Sequence, residues 1–231
     1  MPEGHVLHRA ARLQGKRFNG RVVSMRSPQG RFADGARQLD GQRLDVIEAK
    51  GKHLFYRFET DDVLHVHLGL FGKFRLSTPP FPEPSEACRV LLWTDDDQLH
   101  LAGPNQCAVL DPAATNAILD RLGPDPILAP ADGFDDFSRR LARRRIPIGK
   151  ALMDQHVVAG IGNVYRAELL FGVGLDPFTP ANEVPAETVR ALWDRSVAEL
   201  NAGERLGRIV TVDPDDADGG RRRRDLKAGE R

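Results

Sequence analysis

The strongest constraint in this sequence is a change of rhythm near residue 111. Before it come short alternating or β-rich runs at 43–48, 53–58, 63–68, 89–93, 98–101 and 106–110. Turn-forming residues punctuate them at Asp34-Gly35, Asp61-Asp62, Pro79-Pro80 and Asp95-Asp96-Asp97. Strands of this length and spacing predict an antiparallel sandwich or barrel. After Asp111-Pro112, a favourable helix start, the apolar spacing becomes helical. Helices are predicted over 113–122, 134–145, 148–155, 163–171 and 185–201, the last capped by Gly203 after Ala202. An earlier helix over 3–16 puts Val6, Leu7, Ala10, Ala11 and Leu13 near one face. The expected class is α+β: a leading helix and an N-terminal antiparallel β-sandwich over 1–115, then a helical domain over 116–210.

At 231 residues and 41% hydrophobic, the chain is long enough for two domains with real cores, which excludes a wholly disordered protein. Its two cysteines, Cys88 and Cys107, are too few for a disulfide framework, and no Cys-x-x-Cys pair occurs. No run approaches the roughly 18 apolar residues of a membrane span, so a soluble, cytoplasmic protein is expected. The net charge of zero hides an asymmetry: +6 over residues 1–60, −9 over 61–138 and +3 over 139–210. Basic regions sharing a face would make a footprint for a polyanion; scattered, they are only solvated surface. From Asp213 an acidic block gives way to Arg221–Arg224 with no aromatic residue, so 211–231 reads as a disordered charged tail.

Chemistry concentrates at two places. Once Met1 is removed, Pro2 carries a free secondary amine, and an α-amino group has an ordinary pKa of roughly 8. Part of it is therefore neutral and nucleophilic near pH 7, able to form an iminium with an aldehyde-level carbon. Glu3 beside it can move protons. The plainer alternative is that Pro2 permits Met1 removal and Glu3 opens a helix. The second place is Gly160-Ile161-Gly162-Asn163, between two predicted helices. Free N–H groups at the start of the second helix favour an anion such as phosphate; the alternative is a simple helix–turn–helix corner. His53, His65 and His67 lie in adjacent predicted strands, where a zinc site is conceivable only if all three face together.

Four motifs in order carry a resemblance. They are Met1-Pro2-Glu3-Gly4-His5, Gly51-Lys52, His67-Leu68-Gly69-Leu70, and Leu152-Met153-Asp154-Gln155 leading to Val158-Ala159-Gly160-Ile161-Gly162-Asn163-Val164-Tyr165. Together they resemble the formamidopyrimidine-DNA glycosylase/endonuclease VIII family over roughly residues 1–210. The Pro-Glu-Gly-His start is more similar to the endonuclease VIII-like branch, particularly its actinobacterial members. The resemblance implies a helix–two-turn–helix DNA-binding domain and a base-excision repair glycosylase with AP lyase activity. Pro2 would attack C1′ of a damaged nucleotide, Glu3 would be its acid/base partner, and Lys52 would bind phosphate and assist strand cleavage. His67, Arg121, Gly160, Gly162 and Asn163 would contact DNA. Leu70 and Phe71 would fill the gap left by an extruded base, where an apolar wedge suits an unstacked hole. The implied partner is damaged double- or single-stranded DNA, the protein a monomer near the nucleoid, and the preferred lesions oxidised pyrimidines.

The sequence departs from that family at its end. Most relatives carry a zinc-finger hairpin with two Cys-x-x-Cys pairs and a phosphate-contacting arginine. Neither pair is present here, so no metal and no cofactor is expected. A truncated product, a zincless variant and an artificially cut chain all remain open. Two further readings stand beside the enzyme: a non-catalytic damaged-DNA-binding remnant, and an unrelated α+β protein whose Pro2 is incidental.

Overall fold

The computed structural model describes residues 2–211, so the proposed tail beyond Thr211 lies outside the described residues. The chain divides into two compact units. The first comprises Pro2 and Ala10–Arg121; the second comprises Glu3–Arg9 and the chain from Leu122 onward. The division therefore falls after Arg121 rather than at 115. Helix α3 (Pro112–Leu119) packs against the last strands of the sheet and stays with the first unit. Helix α1 (Gly4–Phe18) supplies its first turns to the second unit and the rest to the first.

In the first unit, every strand pairing is antiparallel. Strands β1 (Arg21–Val22), β3 (Arg43–Lys50), β4 (His53–Phe58), β5 (Val63–His67) and β9 (Gln106–Leu110) form one sheet, in the order β1-β3-β4-β5-β9. Strands β2 (Ser24–Arg26), β7 (Cys88–Trp93), β8 (Gln98–Ala102) and β6 (Lys73–Ser77) form the other, in the order β2-β7-β8-β6. On β4, Leu54, Tyr56 and Phe58 take one face, and all three are buried. Tyr56 donates its hydroxyl to Gln14 Oε1 of α1. On the other face His53 stands opposite His67, and Phe55 opposite His65.

The second unit is built from α4 (Gly133–Ala142), α5 (Ile148–Ala151), α6 (Asn163–Gly172) and α7 (Ala186–Leu206). Phe137, Leu152, Tyr165, Leu169, Leu192 and Trp193 are among the residues closing its core. Phe137 and Trp193 stack at 5.6 Å between ring centroids. Each fully buried side chain of this size contributes about 1.5–3 kcal/mol.

Three local expectations are corrected. Asp34-Gly35 is not a turn: it lies inside helix α2 (Ala33–Leu39), and the glycine is needed because a Cβ there would strike the Phe32 ring. The helix predicted from 148 stops at Ala151, since the next residues turn into the glycine corner described below. Helix α7 runs past Gly203 to a left-handed cap at Gly207, φ 74°. Gly203 is instead a close-packing position, where a Cβ would collide with the Tyr165 hydroxyl. No helix among the described residues is long and apolar enough to cross a membrane.

Candidate active site and nucleic-acid interface

In the second unit, the start of the chain meets the glycine motif. The Glu3 side chain is fully buried and its carboxylate sits on the N-terminus of α6. It accepts from Gly162 N–H at 2.7 Å, Val164 N–H at 2.9 Å and Tyr165 N–H at 3.4 Å. The anion at this helix start is therefore Glu3 itself, not the external phosphate expected for those N–H groups. This is the electrostatically favoured place for a carboxylate. Gly162 is required because a Cβ would lie 2.6 Å from Glu3 Cγ. Gly4 N–H donates to Gly160 O at 2.8 Å, and Gly160 takes φ 96°, a conformation that suits glycine. Asn163, first residue of α6, keeps its side chain exposed.

Gln155 fastens this corner, a role the sequence reading missed. Its Oε1 accepts from Gly160 N–H at 2.9 Å and its Nε2 donates to Ile161 O at 3.0 Å. The His5 ring meets Tyr165 edge-on at 5.3 Å. Burial pushes the His5 imidazole down to about 4, so it is neutral near pH 7. His8 Nε2 and Asp125 Oδ2 are 2.7 Å apart, both buried. A signal was present for His5 and His8, which sit at helical spacing with the apolar residues of α1; Gln155 and Asp125 lie outside the helices and carried none.

In the first unit, Gly51, at φ 60°, turns the chain from β3 into β4 and presents Lys52. The histidine cluster lies beside it. His53 Nδ1 and His65 Nε2 are 2.8 Å apart, and His53 and His67 have ring centroids at 5.0 Å. Burial first, then the charges of His65, His67, Arg121 and Lys52, pushes His53 down to about 3. Burial and then Lys52 also lower His67. Lys52, His67 and Arg121 thus share one electrostatic neighbourhood. The Arg121 Nε donates to Ala117 O at 3.0 Å. His67 Nδ1 is buried without a hydrogen-bond partner among the described residues.

Two residues beyond β5, the turn Gly69-Leu70-Phe71-Gly72 projects its apolar pair outward. Leu70 is 62% exposed and Phe71 84%. Gly72 N–H donates to Leu68 O at 3.0 Å, and a Cβ on Gly72 would collide with Leu68. The turn is locked while its apolar tips stay in water.

The three histidines do face together, but two of them spend ring nitrogens on each other. Among the described residues no group of three or more His, Cys, Asp or Glu could hold a metal ion. The zinc of the resembled family finds no Cys-x-x-Cys pairs in this sequence. A cavity of about 830 Å³ in the second unit, walled by Leu170, Phe171, Leu175 and Phe178, contains none of the expected site residues.

Comparison with known proteins found matches along both halves of the chain. Residues 1–109 match the formamidopyrimidine-DNA glycosylase N-terminal domain, and residues 122–213 match the formamidopyrimidine-DNA glycosylase H2TH domain. Endonuclease 8 1 of Mycobacterium tuberculosis is 43% identical over 219 residues, covering 93% of this chain and 81% of that protein. Formamidopyrimidine-DNA glycosylase of Acidithiobacillus ferrooxidans is 33% identical over 214 residues, covering 86% and 78%. The solved structure of Lactococcus lactis formamidopyrimidine-DNA glycosylase, non-covalently bound to DNA containing an AP site, superposes with TM-score 0.77. It is 24% identical and covers 89% of this chain and 81% of that one, a likeness of fold. With both domain families matched in order and a relative at 43% identity, the chain belongs to the formamidopyrimidine-DNA glycosylase/endonuclease VIII family.

Proposed function

We propose that this protein is a base-excision repair enzyme, a bifunctional DNA glycosylase and AP lyase acting in the cytoplasm on oxidised bases, pyrimidines foremost. The observation that carries the reading is the buried Glu3 carboxylate, fixed by three backbone N–H groups one residue after Pro2. A proton-transfer group this constrained next to a potential amine nucleophile is a catalytic arrangement rather than a helix cap alone.

The steps follow from the chemistry. The neutral Pro2 nitrogen attacks C1′, and the base leaves with the glycosidic electron pair. The Pro2 nitrogen then holds C1′ as an iminium, with the sugar ring open. That electron sink acidifies the C2′ proton; its removal expels the 3′ phosphate by β-elimination. A second, δ-elimination releases the 5′ phosphate, and water hydrolyses the iminium to restore Pro2. Glu3 moves protons. Lys52, His67 and Arg121 hold phosphates, Asn163 adds a further contact, and Leu70 with Phe71 occupies the space of the extruded base.

The test is borohydride trapping on a duplex with one abasic site, after intact mass shows Met1 removed. Wild type is expected to give a covalent adduct and Pro2→Gly to lose most of it. A folded, Met1-free chain that gives no adduct, yet still prefers damaged DNA, would instead mark a binding-only protein.

A further inference from the structure

His53, His65 and His67 share one face of β4 and β5. His65 is 3% exposed and lies against the Phe55 ring, 5.2 Å between centroids. His53 Nδ1 and His65 Nε2 are 2.8 Å apart, so one imidazole donates to the other. Their rings are nearly parallel, at 18°. This is a costly way to fill a sheet face. Two rings leave water to bond each other, where apolar side chains of similar shape would pack at no greater cost. No step of the proposed reaction uses either ring.

The neighbouring His67 gives the pair a purpose. Its Nδ1 is buried and has no hydrogen-bond partner among the described residues. A histidine that acts through one ring nitrogen is commonly oriented by a hydrogen bond at the other. The His67 ring rests on His53 instead, 5.0 Å between centroids and tilted by 49°. Burial and then Lys52 hold His67 below its ordinary range, so near pH 7 it is neutral and has one N–H to donate. With Nδ1 enclosed, Nε2 is the nitrogen left for a phosphate. A neutral donor contributes through geometry, so its aim matters.

We propose that His53 and His65 are positioning residues: their hydrogen bond fixes the His53 ring as the wall that aims His67 at a DNA phosphate. The inference rests on the DNA-repair reading, which supplies the phosphate. Neither His53 nor His65 touches DNA in this arrangement; the effect passes from His65 to His53 by the hydrogen bond and from His53 to His67 by ring contact.

The test is a double-mutant cycle on binding of the full chain to a duplex with one tetrahydrofuran abasic analogue, which forms no iminium. His53→Leu removes both the wall and the bond, and is measured alone and in a His67→Ala background. Alone it is expected to weaken binding about 10- to 100-fold, the range for one hydrogen bond to a charged oxygen. With His67 already gone it costs nothing further. His65→Phe, which unties the wall without removing it, follows the same pattern. His65→Gln restores binding, because its amide reaches about where the imidazole Nε2 lies. His100→Phe breaks another buried imidazole bond, between His100 Nε2 and Gln98 Oε1 at 2.7 Å on the other sheet. It is expected to leave binding unchanged whatever it does to thermal stability. The slope of log K against log salt stays at the wild-type value in the His53 and His65 variants, since a neutral donor releases no counterion. A fall of about 0.9 would move the effect to a charged contact and overturn the proposal. Equal losses with and without His67, or a matching loss in His100→Phe, overturn it as well. If the variants do not fold, imidazole nitrogen NMR of wild type decides. His67 Nε2 is expected to shift on adding the duplex while the His53–His65 bond persists, and an unmoved Nε2 overturns the proposal. Wild type that binds no DNA removes the repair reading together with this inference. Wild type that binds, with losses independent of His67, removes this inference alone.

Discussion

The Glu3 corner and the Leu70-Phe71 turn are opposite solutions to building a site. At the corner everything is buried: the carboxylate is fully enclosed, its partners are backbone N–H groups, and glycine is enforced by a close approach. At the turn the backbone is equally fixed, but Leu70 and Phe71 remain 62% and 84% exposed. Folding has already ordered the first, so a reacting group meets it without reorganisation. The second keeps its apolar surface in water until something covers it. In the proposed enzyme the contrast has a reason: a group that moves protons must be fixed to a fraction of an ångström, whereas a wedge needs only a firm base and a free tip.

Glu3→Gln should have the largest effect. The amide keeps the shape but turns a donor toward donor N–H groups and cannot accept a proton. Trapping and base release are expected to fall about 10²–10⁴-fold, read by single-turnover kinetics. An unchanged rate would reduce the corner to a helix cap.

Acid should next distinguish the first unit's clustered histidines from ordinary ones. His53 and His65 have folded pKa values lowered to about 3 and about 4. Between those values and the ordinary 6.5 the unfolded chain binds more protons than the folded one, so stability rises with pH. Unfolding free energy should fall on the order of a few kcal/mol from pH 7 to pH 4, with no contribution from these groups above pH 7.5. Imidazole titration by NMR checks it: ordinary titration near 6.5 at His53 would refute the burial argument.

Gly162→Ala tests whether the corner is as tight as its geometry. A Cβ 2.6 Å from Glu3 Cγ forces one of them to move, at a cost of about 1–3 kcal/mol in chemical denaturation, with trapping reduced as Glu3 shifts. Phe71→Ala should do least to the fold and sharpen the contrast. Stability should stay within about 0.5 kcal/mol, while affinity for a lesion duplex weakens by about 1–3 kcal/mol. Loss of stability with unchanged binding would make Phe71 a packing residue.

Much of the architecture was readable in the chain. The strand-like runs at 53–58 and 106–110 became β4 and β9 with the same bounds, because β-rich residues set between turn-forming ones leave little freedom in where a strand begins and ends. Asp111-Pro112 opened α3 as expected, with Asp111 Oδ1 accepting from Ala114 N–H at 2.7 Å. Glycines were read less well. Asp34-Gly35 and Gly203 signalled turns by composition, yet each glycine exists to admit a neighbouring ring or hydroxyl. A sequence shows that a glycine permits an unusual backbone or a close approach, and not which.

The sequence by itself determined the class of fold, the order of its two families of elements, and the residue types able to do amine and proton-transfer chemistry. Those properties are local: periodicity, turn chemistry and the ordinary reactivity of Pro2 and Glu3 do not depend on distant neighbours. Tertiary structure decided which anion occupies the start of α6, that Gln155 fastens the glycine corner, and that Lys52 and Arg121 depress the same histidine. It also gathered Arg139, Arg140, Arg143 and Arg144 around one cavity. Each of these joins groups across a turn or far along the chain. Their energies come from burial and distance in space, quantities that a linear order of residues does not contain.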